Sequence, residues 1–251
     1  MFDEADLSED AFLGGRLRIA QPRHGYRAAM DSVLLAAAVP ARAGESVLEL
    51  GCGAGVASLC LGHRVPGLRL AGLELQPAYA ALARRNAAVN GQDLDVLDGD
   101  LAKMPAGLRE RSFDHVIANP PYFPAGTGTP AADGGRETAQ REATPLGLWI
   151  GVALRRLRPG GILTLIQATE RLPELLTGLG AGAGSVTVLP IASRAWREAN
   201  RVILRARKGG RGAFRLAAPF VLHDGDAHLR DGDDYSAAAR AILRDGGAFD
   251  L

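Results

Sequence analysis

Asn119-Pro120-Pro121-Tyr122 packs more potential chemistry into four residues than any other stretch of the chain. It follows the apolar run Phe113-Asp114-His115-Val116-Ile117-Ala118, which reads as a buried strand. A residue before proline is pushed out of the helical region, so the strand must stop with Asn119 at its carboxyl end. In open α/β sheets that edge is where ligands bind. Two prolines stiffen the turn, leaving the Asn119 amide and the Pro120 carbonyl little freedom. Tyr122 follows with a flat ring suited to stacking on a base. The plain alternative is a proline-rich loop, since Asn-Pro alone is a common turn starter.

A second constellation lies upstream. Glu45-Ser46-Val47-Leu48-Glu49-Leu50 reads as a strand that opens into Gly51-Cys52-Gly53-Ala54-Gly55 and then into a helical pattern. Strand, glycine turn and helix form a nucleotide-binding layout, because glycine permits tight backbone angles and lets a ligand approach the main chain. A third run, 68–73, ends in Glu74, placed to receive ribose hydroxyls, and a fourth, 94–97, ends in Gly99-Asp100. A classical dinucleotide dehydrogenase is the competing use of this layout. Its fingerprint wants Gly-x-Gly-x-x-Gly, whereas the third glycine here comes one residue early, and nothing in that fold explains residues 119–122.

The elements that must hold these residues alternate. A lead-in over residues 1–30 is mostly irregular, with a short hairpin near 16–21, and Asp31 is a plausible N-cap for a helix over 32–39 ended by Pro40. Strand 47–50, helix 54–64, strand 69–74 and helix 77–90 follow, the last entered through Pro77 and closed by Asn90-Gly91. Strands near 94–97 and 113–118 come next, then a span over 125–143 without periodicity that reads as a mobile substrate loop. A helix over 145–157 is closed by Arg158-Pro159-Gly160-Gly161, and strands near 162–167, 185–189 and 201–206 finish the pattern. Such alternation implies an α/β fold, a mainly parallel sheet with helices on both faces.

The acid-x-Gly-x-Gly-x-Gly series Glu49-Leu50-Gly51-Cys52-Gly53-Ala54-Gly55, with Glu74, Asp100 and the Asn-Pro-Pro-Tyr turn at successive strand ends, resembles the class I S-adenosylmethionine-dependent methyltransferases over roughly residues 45–206. The resemblance implies a Rossmann-like sheet of seven strands, the last antiparallel, and S-adenosylmethionine as cofactor. It places the methionine end on the loop of Gly51, Gly53 and Gly55, the ribose on Glu74 with Leu75 beside it, and the adenine against Asp100 and Leu101. It also assigns Asp31, Ser32 and Asn119 to cofactor binding. The Asn119-Pro120-Pro121-Tyr122 turn is typical of members that methylate a planar nitrogen, either a nucleobase amine or a glutamine amide, and Phe123 would assist Tyr122 in stacking. A narrower resemblance, to bacterial tRNA(Val) adenosine-N6 methyltransferases, rests on Gly14–Ile19, on Gly25-Tyr26-Arg27-Ala28-Ala29-Met30-Asp31-Ser32-Val33-Leu34-Leu35 and on Asp234-Tyr235-Ser236 with the helix after it. It implies a tRNA substrate modified beside the anticodon. Glu49 stands where aspartate is commonest in that family, with the carboxylate retained, and the segment after the turn, 124–132, departs from it.

Other classes remain in view: a protein glutamine methyltransferase, which would carry a helical amino-terminal domain where only about forty residues precede the first strand here, and a non-catalytic RNA-binding module on the same fold. One unit is expected, with an amino-terminal extension over 1–44, a core over 45–206 and a carboxyl-terminal extension over 207–251. No apolar run approaches membrane-spanning length and Met1-Phe2-Asp3-Glu4 is unlike a signal peptide, so a cytoplasmic enzyme without a membrane partner is expected. Cys52 and Cys60 suit neither a structural disulfide nor a cysteine zinc site, and the five histidines lack metal-ligand spacing, so no metal is expected. Net charge is only +1, but Arg194, Arg197, Arg201, Arg205, Arg207, Lys208, Arg211 and Arg215 crowd one stretch ahead of Asp224, Asp226, Asp231, Asp233 and Asp234. Within it Arg201, Arg205, Arg207 and Lys208 are candidates for contacting RNA phosphates; a solvated basic face is the other reading.

Overall fold

A computed structural model describes residues 2–124, 141–142, 144–225 and 234–251. The expected loop over 125–143 lies almost wholly outside these residues, as do Asp226, Asp231 and Asp233 of the acidic run. The described chain begins with a hairpin, β1 (Leu7–Phe12) against β2 (Leu17–Pro22), paired from Leu7 opposite Pro22 to Phe12 opposite Leu17. The lead-in is thus more ordered than the sequence suggested, because Leu17, Ile19 and Gln21 alternate inward and bury their side chains. Helix α1 (Met30–Ala37) follows, and its N-cap is Ala29, without a side-chain bond. Asp31 sits inside the first turn, since its carboxylate is drawn to Tyr122 and Arg201 instead of the helix backbone.

Strand β3 (Ser46–Leu50), helix α2 (Val56–Arg64), β4 (Arg69–Glu74), α3 (Pro77–Val89), β5 (Leu94–Asp98), the short α4 (Ala106–Arg109) and β6 (Phe113–Ala118) build the first half of the sheet. Two-residue strands β7 (Phe123–Pro124) and β8 (Arg141–Glu142) pair with each other. Helix α5 (Leu146–Arg156), β9 (Leu157–Ala168), α6 (Leu172–Leu179), β10 (Ala183–Arg194) and β11 (Ala199–Lys208) complete the core. The seven long strands lie in the order β10-β11-β9-β6-β3-β4-β5, and β11 alone runs against its neighbours. This is the sheet of seven strands with an antiparallel last strand that the resemblance implied.

Two added strands bring the sheet to nine. The carboxyl-terminal extension adds β12 (Arg215–Leu216) and β13 (Phe220–His223), both parallel to β10. Strand β10 is also longer than expected: a bulge between Gly184 and Thr187 lengthens it at one end, and Pro190, lacking an N–H, falls in the gap between the two short pairings. Arg158-Pro159-Gly160-Gly161 does not close α5 but forms an irregular opening of β9, between the pairs Phe113–Leu157 and His115–Ile162. A final helix, α7 (Ala237–Leu243), is capped by the Ser236 hydroxyl on the Ala239 N–H.

Both faces of the sheet are covered, and strand parity decides which side chain goes where. Val47, Ile117, Ile166 and Ile203 pack with α1, α2 and α3, while Leu48, Leu50, Val116, Leu165 and Leu204 pack with α5 and α6. Glu49 shares the parity of Val47, so its carboxylate points toward α2. Helix α1 bridges the sheet and α7, which brings the chain's two ends together over one face.

Candidate active site

A cleft with about 800 Å³ of open space lies where β3, β4, β5 and β6 end. Its floor is the glycine turn, with Gly51 at φ 66° and Gly53 at φ 53°. At Gly51 a Cβ would stand 2.7 Å from the Trp149 ring, so a side chain there would displace one wall of the cleft. Glu74 ends β4 with both carboxylate oxygens engaged, Oε2 by the Gly53 N–H at 2.8 Å and Oε1 by the Gln76 N–H at 2.9 Å. Each oxygen keeps a lone pair facing the cleft, a bidentate acceptor for vicinal hydroxyls. Burial pushes the Glu74 carboxyl up, against these N–H groups. Beyond it, Asp100 accepts the Ala102 N–H at 2.8 Å and so fixes the turn that offers Leu101 to the cleft. Leu75, half-exposed, stands at the rim, giving a slot with apolar lining for a planar base.

Asn119 enters the same cleft from the end of β6, and its Oδ1 is buried without a partner among the described residues. The turn behind it is clamped. Gln167 Nε2 donates to the carbonyls of Pro120 and Pro121 at 3.2 Å each, and Arg171 Nη1 donates to the Pro121 carbonyl at 3.1 Å. Gln167 is fully buried, so these bonds are shielded from water. Tyr122 is anchored by its hydroxyl, which donates to Asp31 Oδ2 at 2.7 Å; Arg201 Nε pairs with Asp31 Oδ1 at 2.7 Å and its guanidinium lies 6.0 Å from the Tyr122 ring centre. Burial and the Asp31 carboxylate push the Tyr122 hydroxyl up and keep it a donor. Helix α1, the Asn-Pro-Pro-Tyr turn and β11 therefore meet at one carboxylate.

The structure gathers Gly51, Gly53, Glu74, Leu75, Asp100, Leu101, Asn119 and Pro121 around the cleft. It separates others from it. Glu49 faces α2, where Oε2 takes the Ser58 N–H at 3.0 Å and the Ser58 hydroxyl at 2.5 Å. Gly55 offers α2 no capping side chain, so Glu49 satisfies the third N–H of that helix from the neighbouring strand and puts a carboxylate at its positive end. Burial pushes this carboxyl up to about 7. Gly55 itself packs against Leu94 and Ala83. Ser32 is buried in the first turn of α1, and Asp31 holds Tyr122 and Arg201. Because β11 is antiparallel, Arg201 lies at the cleft end of the sheet, opposite Ala168, while Arg207 lies at the other end, opposite Ile162. Arg205, Arg207 and Lys208 donate to the carbonyls of Leu251, Gly160 and Leu157, so three of the four candidate phosphate contacts are spent on the fold and lie away from Asn119. Of Phe123 the structure describes the backbone only, in β7.

Several lining residues were not among the expected site residues. Tyr26 and Tyr79 form one wall, tied by the Tyr26 N–H to the Tyr79 hydroxyl at 2.8 Å and that hydroxyl to the Tyr26 carbonyl at 3.0 Å. Trp149, Gln76, Thr144, Leu73 and Gly99 complete the lining, and Gln167 and Arg171 stand behind the turn. Among the described residues no group of His, Cys, Asp and Glu could hold a metal ion, and no helix is long and apolar enough to cross a membrane.

Sheet order, glycine turn, carboxylate at the second strand end and Asn-Pro-Pro-Tyr turn define a Rossmann-like methyltransferase that uses S-adenosylmethionine. The comparisons add the family: the methyltransferase small domain profile matches residues 27–189, and the chain belongs to that family. The tRNA1(Val) (adenine(37)-N6)-methyltransferase of Dickeya chrysanthemi is 28% identical over 232 residues, 90% of each chain, and the same name recurs among other relatives. A release factor glutamine methyltransferase of Geobacter sulfurreducens is 31% identical over 171 residues, 65% of this chain and 57% of its own. Among solved structures, a predicted O-methyltransferase of Agrobacterium tumefaciens superposes with a TM-score of 0.71 at 25% identity, covering 88% of this chain and 98% of that one. The cleft fits the cofactor: its glycine floor admits close approach, and Glu74 offers free lone pairs to a ribose.

Proposed function

We propose that the protein methylates the exocyclic N6 of an adenosine in tRNA, beside the anticodon. The observation that carries this reading is the unpartnered, buried Asn119 Oδ1, held in the cofactor cleft by a turn clamped from behind. Such an acceptor costs stability unless a ligand supplies its donor. When bound, S-adenosylmethionine supplies an electrophilic methyl group on a sulfonium. Asn119 Oδ1 accepts one N6–H, and the Pro120 carbonyl, which keeps a lone pair beside the Gln167 bond, accepts the other. Together they turn the nitrogen lone pair toward the methyl and stabilise the positive charge that develops on nitrogen. No base is needed before attack, since neutral N6 reacts and releases its proton afterwards. Tyr122 stacks on the flipped or unpaired base, its ring fixed by Asp31 and flanked on one side by Arg201.

Relatives named for tRNA adenine align with as much as nine-tenths of the chain, more than the 45–206 core alone, whereas the glutamine methyltransferase aligns with about two-thirds. The added length beyond the core is what an RNA substrate would use and a bare catalytic core would not. The reading places the enzyme in the cytoplasm, with tRNA. Mass spectrometry of nucleosides from undermodified total tRNA, after incubation with the protein and labelled cofactor, tests it. Labelled N6-methyladenosine is expected; label in a protein glutamine alone would keep the mechanism and replace the substrate.

A further inference from the structure

Trp196 is the most exposed large hydrophobic residue among the described residues, 100% accessible at the tip of the hairpin that joins β10 to β11. Its backbone is in the left-handed region, φ 64°, where a tryptophan is strained and glycine or asparagine would sit without cost. The turn is closed by the Arg197 N–H on the Arg194 carbonyl at 3.2 Å, so the ring stands on a defined support. Neither ring nor cation contacts engage Trp196, and Arg197 beside it is exposed with no ion pair among the described residues. A strained position that projects a bare indole and a free guanidinium into water does nothing for the fold.

Its location ties it to the active site. Strand β11 is antiparallel to both β9 and β10, so β10 runs with the parallel strands and its hairpin lies at the edge where β6 ends in Asn119. Trp196 lies five positions before Arg201, which touches Asp31 and flanks Tyr122. Five extended residues span at most about 18 Å. Trp196 therefore stands within reach of a base a few nucleotides from one held on Tyr122.

We propose that Trp196 is a second stacking platform, which captures an unpaired base of the substrate RNA a few nucleotides from the target adenosine, with Arg197 on the adjoining phosphate. The inference rests on the tRNA reading above. An aromatic face accepts any base without hydrogen-bond readout, so the platform sets affinity and register while Asn119 selects the reacting group. The four-residue turn that carries it holds the ring clear of the protein, leaving both faces open to a base.

The test compares Trp196→Ala, Trp196→Phe, Trp196→Gly and Arg197→Ala in the full chain, with unmodified tRNA as substrate and RNA. Trp196→Ala is expected to raise KM and the RNA Kd about tenfold or more, with kcat and S-adenosylmethionine affinity unchanged, and Trp196→Phe to recover most of the loss. Trp196→Gly is expected to melt a few degrees higher while binding RNA as weakly as the alanine variant, which excludes misfolding as the cause. Arg197→Ala should flatten the salt dependence of RNA binding by about one unit, and Trp196→Ala should leave the slope alone. Wild-type RNA affinity and KM in Trp196→Ala would overturn the inference while leaving the tRNA reading intact. Failure of the wild type to methylate any tRNA would overturn that reading and this inference with it.

Discussion

Replacing Asn119 with alanine separates what the side chain does for the reaction from what it does for the fold. Its Oδ1 is buried with no partner among the described residues, a condition that costs about 1–3 kcal/mol in the absence of ligand. Truncation removes that cost and leaves a small gap beside an open cleft, so the two effects nearly cancel and the melting temperature should move by no more than a few degrees. Cofactor affinity should hold, because the ribose acceptors on Glu74 and the glycine floor are untouched. Methyl transfer should fall by about 10²–10³, the loss of one preorganised partner worth about 3–4 kcal/mol in the transition state. Single-turnover kinetics at saturating cofactor measure this directly, alongside calorimetric Kd and thermal melting. A wild-type rate would refute the mechanism. A collapse of melting temperature and cofactor affinity together would make Asn119 a structural residue.

Glu74→Ala should weaken S-adenosylmethionine binding about a hundredfold or more by calorimetry, because it removes the proposed hydroxyl acceptors and frees the N–H groups of Gly53 and Gln76; unchanged affinity would place the ribose elsewhere. Glu49 sets a pH dependence. Its carboxyl lies at about 7 in the folded chain against 4.5 in an unfolded one, so the folded state holds the proton more tightly and stability falls as pH rises from 4.5 through 7. The loss is about 3 kcal/mol by pH 8, at about 1.4 kcal/mol for each tenfold in acidity. Glu49→Gln keeps an acceptor for Ser58 and should be the more stable protein at pH 8 and not at pH 4.5; parallel melting curves across that window would contradict the assignment.

Much of the sheet was legible because its strands are short apolar runs ended by glycine, acid or proline, each of which leaves a local trace. The Asn-Pro-Pro-Tyr turn and the glycine floor were legible for the same reason. Glu49 shows where local motif reading stops: the pattern marks it as a site acid, but strand parity turns it onto Ser58 and α2. Gln167, Arg171, Tyr26 and Trp149 come from segments far apart in sequence and converge only in the folded chain. The basic stretch is divided by the fold, since residues clustered along an antiparallel strand are carried to opposite ends of the sheet. Arg201 reaches the site through Asp31, and Arg205, Arg207 and Lys208 turn to backbone carbonyls. The additions β12 and β13 are two and four residues long, too short for any periodicity to announce them.

The central claim concerns one nitrogen on one base. Two tRNA(Val) transcripts that differ only in the nucleotide beside the anticodon, adenosine in one and guanosine in the other, place that nitrogen under direct control. With labelled S-adenosylmethionine, the adenosine transcript should yield N6-methyladenosine on digestion, and the guanosine transcript, which offers no adenine N6 at that position, should stay unlabelled. Equal labelling of both, or labelling of neither beside a methylated protein glutamine, would contradict the account.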